Sequence, residues 1–269
     1  MIMLTGVSRR FFKGTPNEVT ALDNITWQAG PGEFVTIIGS NGAGKSTLLN
    51  IVAGVIAPDA GRIVLDGVDV TSWPEYRRAG AIGYIDQNPL VSTAAEMTVE
   101  ENLAMALMRG RRRGLARAVT PFRVESFQEA LKEIGMGLED RLKVPVGTLS
   151  GGQRQALALA MATIVRPKLL LLDEHTAALD PQAARLVMGI THRLVTAHRL
   201  TTLMVTHNME QALRFGDRLV MMHRGRIVLD LGKEEKKGLT VGDLIARFTA
   251  SSGDVFDDDR VLLSATGNG

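Results

Sequence analysis

The strongest constraint on this chain lies in residues 34–55. Phe34-Val35-Thr36-Ile37-Ile38 is a short apolar run of strand length, and Leu48, Leu49, Val52 and Val55 recur at helical spacing. Between them stands Gly39-Ser40-Asn41-Gly42-Ala43-Gly44-Lys45-Ser46-Thr47, the G-x-x-x-x-G-K-[ST] pattern called Walker A, in the strand–loop–helix context it requires. Glycine lets backbone N–H groups converge on phosphate oxygens where a Cβ would obstruct the turn. The helix that follows adds its positive N-terminal end. Lys45 is expected to reach the β- and γ-phosphates, and the Ser46 hydroxyl to ligate Mg²⁺. A ligand-free Gly-rich turn is the bland alternative; four specified positions match by chance about one time in a hundred at average residue usage.

A second apolar run, Leu169-Leu170-Leu171-Leu172, ends in Asp173-Glu174 and reads as a buried parallel strand. Alone it is a solvated strand end. Paired with the phosphate loop, it has the Walker B form: Asp173 is expected to hold the Mg²⁺ hydration shell and Glu174 to polarise the attacking water.

Residues 19–27 read as β before the Gly30-Pro31-Gly32 turn, and 63–65 and 82–85 are further short strands. From about 89 to 166 the character is helical, with predicted helices at 97–107, 124–134 and 153–164. Strands return at 169–172, 202–206 and 218–222, alternating with helices from Pro181 and Met209. The pattern predicts an α/β core interrupted by a helical insertion. Residues 251–269, with Asp257-Asp258-Asp259, read as a tail.

Composition sets limits. With no cysteine, disulfide frameworks, thiolate catalysis and Cys-based zinc sites are excluded. No secretory leader is read in residues 1–13, and no apolar run approaches the roughly 20 residues that span a bilayer. The expectation is a soluble protein whose membrane role, if any, comes through a partner. A formal net charge of +2 does not point to nucleic acid. Arg109-Gly110-Arg111-Arg112-Arg113 is read as a solvated basic helix end rather than a nucleic-acid or lipid patch.

Leu149-Ser150-Gly151-Gly152-Gln153 precedes a predicted helix. Two glycines and a hydroxyl at a helix N-terminus make a second phosphate-binding device, about a hundred residues from the first. With Arg154 behind it, this string gives the chain a plain resemblance, over residues 4–248, to the nucleotide-binding subunits of ATP-binding-cassette (ABC) transporters.

The resemblance implies a P-loop NTPase core of ABC type. It implies an N-terminal antiparallel β subdomain and a helical subdomain at about 89–166, with core and β subdomain at about 1–88 and 167–250, in one domain spanning 1–250. Gln87 matches the Q-loop glutamine, a Mg²⁺ ligand that reports nucleotide state to a permease. Ala178-Leu179-Asp180 matches the D-loop, and His207 the switch histidine on the γ-phosphate. Phe11 lies where the family stacks an aromatic on adenine; Phe12 competes with it, and either could be core.

ATP is then expected between Lys45 of one subunit and Ser150 to Gln153 of the other, in a head-to-tail homodimer. Implied partners are transmembrane permease subunits and, indirectly, an extracytoplasmic substrate-binding protein, with the chain peripheral on the cytoplasmic face. One departure stands out: the family commonly has Asp-Glu-Pro-Thr, and this chain has Asp173-Glu174-His175-Thr176. That string, with Met204 to Met209 and Met221-Met222-His223, resembles the ATPases of aromatic amino-acid (tryptophan/tyrosine) uptake systems. An exporter ATPase or a nucleic-acid or ribosome ATPase is the alternative. The latter would need a coiled-coil insertion or a second cassette, and neither is present.

Overall fold

The computed structural model describes residues 1–110 and 118–253. Arg111 to Arg113 of the basic cluster, and Asp257 to Asp259 of the tail, lie outside the described residues. The strands are β1 (Ile2–Phe11), β2 (Val19–Ala29), β3 (Phe34–Gly39), β4 (Ala60–Leu65), β5 (Val68–Asp69), β6 (Ile82–Ile85), β7 (Leu169–Asp173), β8 (Thr202–Val205), β9 (Arg218–His223) and β10 (Arg226–Leu231). The helices are α1 (Lys45–Ala53), α2 (Glu75–Arg78), α3 (Pro89–Ser92), α4 (Val99–Leu107), α5 (Pro121–Ile134), α6 (Gly151–Thr163), α7 (Pro181–His198), α8 (Met209–Arg214), α9 (Lys233–Lys236) and α10 (Val241–Ser252). The chain divides into two compact units, Met1–Trp73 with Thr201–Gly269, and Pro74–Leu200. The helical segment expected at 89–166 falls inside the second.

The first unit carries an antiparallel sheet in which β1 lies between β2 and β4, and β5 continues from β4. Ile2, Leu4 and Val7 of β1 and Ile25, Trp27 and Ala29 of β2 are buried, the one-faced pattern of a sheet with one solvated side. In the same unit β3 pairs in parallel with β8 on one edge and β9 on the other, and β10 closes antiparallel on β9. Every residue of β3 is buried, as the unbroken apolar run predicts. Ile38, Leu219 and Met221 pack with Met209 and Ala212 of α8 and with Leu244 and Phe248 of α10. Helix α1 buries Leu48, Leu49, Ile51 and Val52. The expected fourth member of its face, Val55, does not belong to it: Gly54 adopts φ 84° and ends the helix at Ala53, leaving Val55 49% exposed.

In the second unit β6 and β7 pair in parallel, Ile82 opposite Leu169 through Ile85 opposite Leu172. Helix α6, apolar on nearly all sides, buries residues 155–162 and packs with α4, α5 and α7. The predicted helices 97–107, 124–134 and 153–164 are all present, with starts moved to the residue after Thr98, Thr120 and Ser150. Each of these side chains accepts a bond from the backbone N–H three residues on. The caps, not the apolar spacing, set the starts.

Candidate functional site

In the first unit the loop between β3 and α1 is shaped by three glycines with positive φ: Gly39 at 152°, Gly42 at 76° and Gly44 at 97°. A Cβ on Gly44 would lie 2.2 Å from the Ala21 carbonyl oxygen, and one on Gly39 2.2 Å from that of Met222. Those two positions require glycine for space as well as for conformation. Lys45 is buried and turns back over the loop, its Nζ donating to the carbonyl oxygens of Gly39 at 2.7 Å and Ser40 at 3.1 Å. Asn41, Gly42 and Ser46 are exposed, Ser40 and Thr47 are partly so, and Ala43 is buried. The result is an α-helix N-terminus with an ammonium held over it, a cradle for anionic oxygen.

His207 follows β8 in the same unit and is partly exposed, ahead of α8, which Asn208 caps. Neither Phe11 nor Phe12 belongs to the core. Phe11, at the end of β1, is partly exposed, with the Arg9 guanidinium 5.0 Å from its ring centroid; Phe12 is 70% exposed with φ 53°.

In the second unit Asp173 is buried at the end of β7, where the Tyr84 hydroxyl of β6 donates to Oδ2 at 3.5 Å. Burial, and then the neighbouring negative charge of Asp173, push the Tyr84 phenol well above its ordinary range. Glu174 is a non-glycine residue in the left-handed region, φ 44°, with Ala177 N–H bonded to its carbonyl. Its Oε2 accepts from Gln87 Nε2 at 3.4 Å, so two residues 87 positions apart are brought together. His175 is buried, its Nε2 3.1 Å from Thr191 Oγ1 of α7. Desolvation lowers its pKa to about 4, so the ring is neutral near pH 7.

Ser150 caps α6: Oγ accepts from Gln153 N–H at 3.3 Å, and Gln153 Oε1 accepts from Ser150 N–H at 3.3 Å and from Arg141. The glycines of this loop lie against the next motif. A Cβ on Gly151 would be 3.3 Å from Leu179, and one on Gly152 3.2 Å from Ala183. Asp180 caps α7 by accepting from Gln182 and Ala183 N–H, both at 3.0 Å. The second phosphate-type loop and Leu179-Asp180 are therefore neighbours in this unit. Tyr84 and Thr191 were missed from sequence; an aromatic in a short strand and a threonine on a helix face carry no motif.

Ser46 in the first unit, and Gln87 and Asp173 in the second, each carry the kind of oxygen donor that a hard divalent cation takes. Among the described residues no group of three or more His, Cys, Asp or Glu side chains could hold a metal. Phosphate and water oxygens would have to complete such a shell.

Residues 22–177 match the family described as "ABC transporter". The chain is 43% identical over 250 residues to the tyrosine transport ATP-binding protein of Clostridioides difficile, covering 92% of this chain and 98% of that one. It is 35% identical to the phosphonates import ATP-binding protein of Frankia casuarinae, covering 85% and 89%. A dimeric post-hydrolysis ATP-binding cassette bound to ADP and Pi is similar in structure, with a TM-score of 0.74, 28% identity and coverage of 87% of this chain and 99% of that one.

Proposed function

The chain belongs to the ABC transporter family as an ATP-hydrolysing subunit, and from that premise we propose that it works as a head-to-tail homodimer on the cytoplasmic face of a permease that imports an aromatic amino acid or a similar small solute. The tyrosine transport relative, matched over nearly its whole length, supports the cargo class. Uptake of this kind brings in a substrate-binding protein on the far side of the membrane. The helical segment, about 89–166, is read as the lobe that faces the permease.

In this reading Lys45 exchanges its bonds to Gly39 and Ser40 for the β- and γ-phosphates of ATP, and the loop's N–H groups hold the remaining oxygens. Phe11 stacks on adenine. Ser150 to Gln153 of the partner subunit close over the γ-phosphate, with Asp180 at the dimer seam. Ser46, Gln87 and Asp173 would hold Mg²⁺, which when bound neutralises charge on the phosphate oxygens. Glu174 takes a proton from the attacking water as the terminal phosphorus–oxygen bond breaks, and His207 contacts the departing phosphate.

The observation that carries the reading is the 3.4 Å contact between Gln87 and Glu174. It links the side chain that would polarise water to the one that would report nucleotide state. Steady-state hydrolysis by Glu174→Gln tests it. Turnover is expected to fall about a hundredfold or more, while ATP converts the variant to a dimer on gel filtration. An unimpaired rate would remove Glu174 from this role. Purification from membranes with an amino-acid permease supports the importer reading, and capture with an export permease would overturn it.

A further inference from the structure

The Asp173-Glu174-His175 turn contains a strained residue and an unusual anchor. A non-glycine side chain at φ 44° is disfavoured by the contact of its Cβ with the backbone and persists only where its surroundings hold it. Upstream, β7 supplies that hold, since residues 169–173 are buried and 169–172 are paired with β6. Downstream the chain leaves the sheet, and Thr176, Ala177 and Ala178 are partly or fully exposed. Only His175 goes back into the interior, 3% exposed, to meet a threonine on α7 that is fully buried.

The direction of that bond follows from the threonine. Thr191 Oγ1 donates to the Val187 carbonyl at 2.9 Å, which commits its only hydrogen. Its remaining capacity is as an acceptor, so the imidazole must donate Nε2–H across the 3.1 Å gap. The ring is thus one defined tautomer, with Nδ1 unprotonated. It ties the residue after Glu174 to a helix of 18 residues that Asp180 caps.

We propose that His175 is a positioning residue: the Nε2–H bond to Thr191 holds Glu174 in its left-handed conformation and so aims the carboxylate that activates water. This rests on the assignment of Glu174 given above. His175 touches neither substrate nor reacting atoms; it acts through the backbone of the turn. Misplacing a catalytic group by about 1 Å costs up to about a hundredfold in rate, so a single lost tether is sufficient to matter.

Thr191→Val, close in shape, removes the acceptor while leaving the ring in place. With the purified full-length chain, its kcat for ATP hydrolysis is expected to fall about tenfold, with KM changed by less than about twofold. Thr191→Ser, which keeps the hydroxyl, is expected to restore kcat. His175→Gln, whose amide N–H reaches the place of Nε2–H, is expected to retain more activity than His175→Ala. Nitrogen NMR of the imidazole should give the Nε2–H tautomer in the parent chain and lose its protected proton in Thr191→Val. Folded Thr191→Val and His175→Ala proteins that hydrolyse ATP at the parent kcat would overturn the proposal, as would an Nδ1–H tautomer. Glu174→Gln run beside them separates the two claims. If that variant turns over normally, the Glu174 reading fails; if it is inert while both tether variants are fully active, only the positioning role fails.

Discussion

At the scale of single residues, burial and conformation make claims that stability measurements can check. The unfolded value for histidine is 6.5, and desolvation brings folded His175 to about 4. Between those pH values the unfolded chain binds a proton that the folded chain refuses, so stability is complete above about pH 6.5 and is lost as the pH falls toward about 4. The loss is on the order of 3 kcal/mol. His175→Gln does not titrate, so its urea midpoint should fall less between pH 7 and pH 4.5 than that of the parent. Equal shifts would mean that the ring is not held neutral. The glycines of the phosphate loop make a second contrast. Gly44→Ala meets the Ala21 carbonyl at 2.2 Å as well as the left-handed penalty, whereas Gly42→Ala, with nothing within 4 Å, meets the penalty alone. Gly42→Ala should cost about 1 kcal/mol and Gly44→Ala at least about 2, read as the difference in their denaturation midpoints. The loop itself was legible in the sequence because phosphate binding dictates residue type at fixed spacing. The Thr191 partner of His175 was not, because a contact sixteen residues away depends on how α7 is rotated.

At the scale of elements, one side chain can serve both a helix and a ligand. Thr98 and Ser150 each complete a capping box, on α4 and α6 respectively. Replacing either by alanine should lower stability by about 1 kcal/mol. Only Ser150→Ala should also weaken the ATP-stabilised dimer in a Glu174→Gln background. If Thr98→Ala weakened that dimer equally, the effect would belong to general helix stability and not to Ser150. The fully buried strands β3 and β7 could be read from sequence, since an unbroken apolar run between turn residues has few other readings. Strands β1 and β10 could not. The β1 register shifts three times against β2, which breaks the two-residue alternation, and β10 is only partly buried along most of its length. Helix ends were displaced for the same kind of reason: hydrogen bonds to caps end a helix, and apolar spacing does not register them.

At the scale of the whole molecule, the contacts that make a unit are not contiguous in sequence. The first unit joins residues 1–73 to the segment from Thr201 onward through β3–β8 and β3–β9 pairing, with 127 residues between Trp73 and Thr201. Periodicity sees only local windows, so the helical character of 89–166 was readable while the extent of the unit around it was not. The proposed head-to-tail homodimer makes a prediction of its own at this scale, because in it each composite site would take Lys45 from one subunit and Ser150 from the other. In a Glu174→Gln background, Lys45→Ala chains alone and Ser150→Arg chains alone should each retain almost no ATP through gel filtration. Mixed in equal amounts, each dimer that pairs one chain of each kind rebuilds one intact site of its two. The mixture should therefore retain from about a quarter of the parent's ATP per chain, for random pairing, to about half, where ATP draws all chains into mixed pairs. A mixture that retains no more than its separate components would rule out sites shared between subunits. Retention by Ser150→Arg alone would place the whole nucleotide site within a single chain.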